Sequence, residues 1–510
     1  MSKSWNEVLE DVRERAPELA DAEELAALVE SLGHTDRSVE QMGFPNVFAL
    51  AEHLFRNYPE GHPASRQTVC PSGWRSIWIE ASSAARKLSS SLAYSVPWIA
   101  LLALEYFRPN ALQVSPEFGS ALSLSLIASL VTPGGFIQMI ARAGNFYFGL
   151  GEPFLAHRFT VLLFQLGMAS SLLFAVLGVV LGAYFHVFSG VYLLMAAANY
   201  LVLSLLWMFC ATLSAQGIAW CIPLVYLVSA AAAASIKVFA QTGASLPLLL
   251  WPVFAVLSAA VCAKLEFRRS ERKQPQKKDS APPRFSVALI SFIPFYLYGT
   301  VYFGFLFADR VTAGTAIPWI SGLSFGIDAA YKRGMDLALL AFLVSAALVE
   351  YLSESYLRYW FRLADELPQS ESIGLVSSLK RRHSRFLFVI FAVFVTIALS
   401  AWFAFHHWSG LGTSPQLLET VAIGGAGYLL LSLALFEAII LACVNALHLA
   451  LRAVALGLAV NLFAGYSLSH LLGVQFAAVG LLLGAGVVLW KCHRAAQQVL
   501  EHPDYHYSVA

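Results

Sequence analysis

Apolar stretches of about 20 residues recur from about Leu88 to Trp490, separated by short polar segments. A helix needs about 20 such residues to cross roughly 30 Å of hydrocarbon. The pattern predicts spans at about 88–107, 117–141, 159–185, 189–213, 217–238, 246–265, 286–308, 335–357, 386–406, 418–441, 446–467 and 472–491. They form two sets of six around a basic, proline-containing segment, KLEFRRSERKQPQKKDSAPPR at 264–284. The fold class read from this is an all-α polytopic membrane protein of about 12 transmembrane helices in two six-helix bundles. The expected division is 1–75, a soluble acidic helical region; 76–265 and 285–495, the bundles; 266–284, a solvated basic linker; and 496–510, a tail. No residue-level repeat relates the halves, so a six-plus-six arrangement about an axis along the membrane normal rests on spacing alone.

The N-terminal region has a different pattern. Over residues 1–60 acidic residues outnumber basic ones by about thirteen to five. Trp5 to Leu32 reads as one or two amphipathic helices with Val8, Leu9, Val12, Leu19, Leu25, Leu28 and Val29 on one side, stopped at Gly33. A second helix is expected from Val39 to Phe55, with Phe44, Val47, Phe48, Leu50 and Leu54 apolar. The region is either a small solvated cap with its own core or a docking piece for a cytoplasmic partner. The first apolar run starts too late for a signal peptide.

Composition supports the membrane class: 58% of residues are hydrophobic and 13% charged, against roughly 25% charged in soluble domains. The net charge of +1 averages an acidic N-terminus with basic loops, and nothing points to nucleic acid. Six cysteines include no C-x-x-C pair, so neither a disulfide framework nor a metal site is expected. Walker-type, H-E-x-x-H and G-x-S-x-G motifs are absent from the sequence, and we expect no enzyme and no cofactor.

Lysine and arginine orient the spans. Arg75, Arg86 and Lys87 precede the first; Arg142 and Arg158 follow the second; Arg268, Arg269, Arg272, Lys273, Lys277, Lys278 and Arg284 crowd the middle segment. Arg358, Arg362, Lys380, Arg381, Arg382 and Arg385 follow the eighth span, and Lys491 and Arg494 the twelfth. With twelve spans all these fall on one side, leaving Arg108, Arg310, Lys332 and Arg333 opposite. Both termini are therefore expected in the cytoplasm. Residues 363–383 read as an amphipathic helix along the cytoplasmic interface, its basic end on anionic headgroups. The aromatic segment GNFYFGLGEPFLAHRFT is also expected along the interface.

Ionisable residues inside spans are costly and mark candidate pathways. In the first half Lys237 lies near a span end, where it either faces a path or snorkels. The second half has more. Asp309 and Arg310 end the seventh span; Asp336, Glu350 and Glu354 lie on the eighth; Glu437 lies on the tenth; His448 and Arg452 lie on the eleventh. Asp336 opens its predicted helix, so it is either a path residue or a cap on the positive dipole end. Glu350 and Glu354 share a face that lines a wet cavity or emerges at the interface. Glu437 and Arg452 are placed to pair across the turn CVNALH. The distribution favours a hydrated path biased towards the second half. Helix breakers at Pro133-Gly134-Gly135, Pro223, Pro252, Pro294 and Gly424, Gly425 and Gly427 suit spans that bend or rock.

Three stretches carry a resemblance. IPFYLYGTVYFGFLFADR resembles the seventh span of PelG-type proteins, members of the multidrug/oligosaccharidyl-lipid/polysaccharide (MOP) flippase superfamily, which ends in an acidic–basic pair matched by Asp309 and Arg310. GMDLALLAFLVSAALVEYLSESY is similar to the next span, with Asp336, Glu350 and Glu354 in the acidic places. LFEAIILACVNALHLALRAVALGLAVNLFAGY resembles the tenth and eleventh, with Asn445 before a short basic turn and Asn461 within the helix. The resemblance covers about 285–490; the first half matches by topology only, the soluble N-terminus is longer and the middle loop more basic. It implies two bundles of MOP/MATE type around a central cavity. It implies an exopolysaccharide flippase, moving a polysaccharide or lipid-linked glycan across the bacterial inner membrane by alternating access. Arg142, Lys237, Arg310 and Arg452 are its candidate cations for phosphate or acidic sugars. Cytoplasmic glycosyltransferases and membrane proteins are the implied partners, met through the N-terminal region, with membrane lipids around the spans. The alternatives are a MATE-like ion-coupled exporter of small molecules and a non-transporting scaffold of a polysaccharide-synthesis complex.

Overall fold

The structure, a computed structural model, describes residues 22–31, 34–40, 42–56, 115–239, 245–273, 285–317, 325–366, 372–408 and 414–501, together with Val8, Leu88 and Leu92. The predicted first span, 88–107, lies outside this set but for two isolated positions. The described elements are helices, and the described residues contain no strand.

The chain forms two compact units: Met1–Ala85 with Glu354–Arg385 and Val499–Val509, and Arg86–Ser353 with Phe386–Gln498 and Ala510. In the first, helices α1 (Ala22–Ser31), α2 (Asp36–Glu40) and α3 (Val47–Arg56) close a core of Val8, Leu25, Val29, Val39, Leu50 and Leu54. Where a single helix was expected from Val39 to Phe55, the chain breaks after α2. Gly43 takes φ +92°, open to a residue without Cβ, and Pro45 follows. α3 then restarts under two caps: Asn46 Oδ1 accepts from Ala49 N (2.8 Å) and Asp36 Oδ1 from Val47 N (2.9 Å). This unit also holds an aromatic cluster: Tyr356 meets Trp360 and His383 edge-on, and its hydroxyl donates to Leu379 O (3.3 Å).

Apart from three helix ends, the larger unit holds the membrane helices. In order they are α4 (Pro116–Val131), α5 (Gly134–Gly149), α6 (Pro153–Tyr184), α7 (Gly190–Ala215), α8 (Cys221–Phe239) and α9 (Ser245–Lys273). The second half follows as α10 (Phe285–Thr315), α11 (Ala329–Glu366), α12 (Ser372–Trp408), α13 (Pro415–Cys443), α14 (Leu447–Leu472) and α15 (Ala477–Glu501). The end of α11, the start of α12 and the last residues of α15 fall in the first unit. Among the described residues nine helices are long and apolar enough to cross a membrane, α4 and α5 form a bent tenth, and α8 is a shorter apolar helix. Their outward faces carry large apolar side chains, such as Leu172, Leu173, Val176, Leu177 and Val180 on α6. A soluble protein rarely leaves such a continuous stripe exposed. The chain is a multi-pass membrane protein.

Local chemistry sets the helix ends. Ser115-Pro116 opens α4 and Ser414-Pro415 opens α13, each serine oxygen accepting an amide in the first turn (3.3 and 3.2 Å). Pro133 removes a backbone donor, so the second span bends by 43° between α4 and α5. In the first half α7 packs on α4, α5, α6 and α9, and in the second α10 packs on α14. α10 also packs on α4 and α5 and so joins the halves.

Two sequence expectations change. α11 continues to Glu366 and α12 begins at Ser372, so most of 363–383 extends two spanning helices instead of forming a separate interfacial one. The buried Leu375 and Leu379 keep the helical period running. The aromatic segment near 145–160 comprises the end of α5 and the start of α6, joined by a tight turn with Gly151 at φ +67°. α9, finally, runs to Lys273 through the start of the predicted linker.

Candidate functional site

Two neighbouring residues at the end of α10 organise the site. Asp309 is wholly buried and Arg310 nearly so, with a side chain 12% exposed. Tyr331 of α11 donates to Asp309 Oδ2 at 2.8 Å, while Arg310 Nη1 stands 3.5 Å from Asp309 Oδ1. Arg310 Nη1 also donates to the Tyr428 hydroxyl on α13 (2.7 Å), and Nη2 reaches Asp336 Oδ1 (3.4 Å). Lys332 Nζ binds the other oxygen of Asp336 at 2.9 Å. The network alternates in sign, Asp309–Arg310–Asp336–Lys332, which is how charge is retained at low exposure. Its geometry has local causes. Asp328, Lys332 and Asp336 are four apart and share a helix face. Asp328 Oδ1 accepts from Tyr331 N at 2.7 Å, capping α11.

Arg310, Asp328, Tyr331, Lys332 and Asp336 form one wall of a cavity of about 260 Å³. The facing wall comes from the first half: Trp207 of α7, Tyr226 of α8 and Trp251 of α9, with Asn199. Tyr226 and Trp251 rings lie 5.5 Å apart at 40°. Trp207 is held by an indole N–H donated to Ser129 Oγ (3.1 Å), and Asn199 donates to Ser125 Oγ (2.8 Å). An aromatic wall thus faces an ionic one, a layout for a ligand with a flat apolar face and a polar edge.

A close contact between the halves lies at the bend of the second span. Gly134 and Gly135 at the bend pack against Tyr296, Gly299 and Phe303 of α10, and a Cβ on Gly299 would stand 2.6 Å from Gln138 Cγ. The halves therefore meet backbone to backbone there.

Of the residues singled out from sequence, Asp309, Arg310 and Asp336 come together here. Asp336 is not the cap of its helix: α11 begins at Ala329, and Asp328 fills that role. Glu437, wholly buried, does not pair with Arg452. His493 Nδ1 stands 2.7 Å from its Oε1, brought across by α15, while Arg452 is exposed on α14. Arg142 is exposed, its guanidinium 5.1 Å from the Phe295 ring centre. Glu350 is exposed on α11, and Glu354 pairs with Arg358 at 2.6 Å. Neither glutamate, nor Arg142, Glu437 or Arg452, lines the cavity. The side chain of Lys237 lies outside the described residues. Sequence reasoning missed Tyr331, Tyr428, Asp328 and the aromatic wall; the four-residue spacing of Asp328, Lys332 and Asp336 was the available signal.

No protein-family model and no curated protein sequence matches the chain. Solved structures do match over most of its length. The MATE transporter VcmN of Vibrio cholerae, in its bent form, is 16% identical with a TM-score of 0.52, covering 83% of this chain and 99% of that one. An outward-facing multidrug resistance MATE family transporter of the MOP superfamily is 14% identical, TM-score 0.52, covering 84% and 97%. A MATE in complex with MaD3S is 13% identical, TM-score 0.51, covering 82% and 96%. The chain has the MATE-type fold.

Proposed function

We propose that the protein is a transporter that moves a glycan, as polysaccharide or lipid-linked precursor, across the bacterial inner membrane by alternating access, with both termini in the cytoplasm. One observation carries the reading: the aromatic wall of Trp207, Tyr226 and Trp251 facing the ionic wall of Arg310, Lys332 and Asp336. A sugar ring offers an apolar face of C–H groups that stacks on an indole and an edge of hydroxyls that bonds carboxylates and guanidinium. The fold supports the transport part, since the cavity takes one wall from each half. The resemblance to PelG-type proteins at the acidic–basic end of α10 supports the glycan part. No chemical step is assigned to the chain. Cytoplasmic glycosyltransferases are the proposed partners of the N-terminal helices.

A second reading, export of a small molecule, is favoured by the size of the cavity. At about 260 Å³ it lies near the small end of ligand sites, roughly 300–1,000 Å³. The solved neighbours include a multidrug resistance transporter.

The test is surface and intracellular polysaccharide in a deletion strain complemented with wild type, Asp309→Asn or Trp251→Ala at matched protein levels. Loss of surface polymer with glycan retained inside, restored only by wild type, is expected. Unchanged surface polymer with altered sensitivity to toxic compounds selects the second reading. Full rescue by Asp309→Asn removes that carboxylate from the mechanism.

A further inference from the structure

The end of α9 carries a cluster that the cavity does not use. One side of the helix is committed to the protein. Phe267 is buried and stacks on His157 of α6 (4.3 Å, 15°), and Glu271 reaches His157 Nδ1 at 2.6 Å. These contacts fix the rotation of the helix and turn the opposite side outwards.

That outward side has two parts in register. Leu257, Val261 and Leu265, spaced at four residues, are each more than half exposed. The same line then continues as Lys264, Arg268, Arg269, Arg272 and Lys273, all exposed. Of the acids in this stretch, Glu271 is turned to His157 and Glu266 approaches Arg269 at 3.7 Å. Leu265, Arg268, Arg269, Arg272 and Lys273 border an open hollow of about 380 Å³.

We propose that this surface is a docking site for an anionic phospholipid. The exposed apolar side chains lie along the acyl chains, and the cationic end reaches the headgroup phosphate. The order of the two parts argues for a lipid over a soluble anion, because only a lipid presents hydrocarbon and phosphate in continuous succession. Guanidinium groups suit the phosphate diester by forked hydrogen bonding. Lysine and arginine stems extend along the apolar surface while their heads stay in the headgroup layer.

The experiment uses the purified full-length protein in neutral detergent, offered phosphatidylglycerol and phosphatidylcholine, with bound lipid counted by native mass spectrometry. Wild type is expected to retain phosphatidylglycerol preferentially, and less as salt rises. Each cation removed is worth about fivefold in affinity, so R272Q/K273Q is expected to weaken phosphatidylglycerol binding about 25-fold and leave phosphatidylcholine unchanged. R268K/R269K/R272K, which keeps the charge, is expected to retain the preference. Equal retention of both lipids by wild type, or an R272Q/K273Q protein as selective as wild type, overturns the proposal. So does displacement of the lipid by millimolar inorganic phosphate, which would mark a soluble-anion site. If R272Q/K273Q does not yield folded protein, the wild-type salt titration decides: a preference unchanged between low and high salt overturns it.

Discussion

Under the proposed alternating access, placing a single methyl group at Gly135 should shift the balance between conformations. Its Cβ would stand 2.6 Å from the carbonyl oxygen of Tyr296 and closer still to the edge of that ring. A carbon rests at about 3.3 Å from a carbonyl oxygen, so α5 and α10 must part by roughly 0.7 Å. The ring can turn away; the carbonyl is fixed in a helix. Overpacking of this kind costs about 1–3 kcal/mol, while the gain in helix propensity of alanine over glycine is shared by every state in which α5 is helical and cancels. The penalty of about 1–3 kcal/mol falls only on states in which α5 touches α10, lowering their weight roughly 5- to 150-fold. Spin labels at the exposed positions Met168 on α6 and Phe388 on α12 report the separation of the halves by pulsed EPR. The distance that matches this structure should lose population in Gly135→Ala. Adding Tyr296→Ala removes the ring but not the carbonyl, so recovery should be partial. Gly149→Ala, on the same helix with nothing within 4 Å of its Cβ, should leave the distribution unchanged. An unaltered distribution in Gly135→Ala would refute the claim that this contact closes one conformation.

Three further expectations come from the site and the N-terminal unit. Arg310→Gln leaves the buried Asp309 without its cation and deprives Asp336 of one partner, so the purified protein should lose about 3–5 kcal/mol, read as a lower unfolding temperature; Asp309→Asn leaves Arg310 with Asp336 and should unfold near the wild-type temperature. Asp328→Ala removes the cap of α11 at a cost of about 1 kcal/mol, and hydrogen exchange should speed up at the Tyr331 amide. Deleting residues 1–75 should preserve membrane insertion and impair association with the proposed glycosyltransferase partners, because the core of α1, α2 and α3 contains no residue of a membrane helix; failure to insert would contradict this.

Hydropathy made the membrane helices legible because a span must be apolar over its whole length, whatever its neighbours are. Each predicted span that falls among the described residues is matched by a helix or, at 117–141, by the bent pair α4 and α5. Boundaries were less legible. Nothing in hydropathy tells a polar helix end from a polar loop, so the continuation of α9 to Lys273 and of α11 to Glu366 was hidden. The break near Gly43 was hidden in the opposite way, by apolar residues at helical spacing on both sides of a glycine turn.

The site was half legible, and the reason lies in the energetics of each wall. A charge inside an apolar helix is expensive enough to stand out one residue at a time, so Asp309, Arg310 and Asp336 were visible. Which charges would meet was not, because pairing depends on helix contacts far apart in sequence. Glu437 found His493 on α15 instead of the nearer Arg452. Trp207, Tyr226 and Trp251 carry no such cost, and tryptophan or tyrosine in a span also reads as an ordinary interface residue. The expectation of a hydrated path biased towards the second half registered the charges alone. The cavity takes its charges from the second half and its aromatic surface from the first. In the proposed alternating access, rocking one half against the other would therefore separate the two walls, releasing a ligand that needs both without breaking any pair in the Asp309–Arg310–Asp336–Lys332 network.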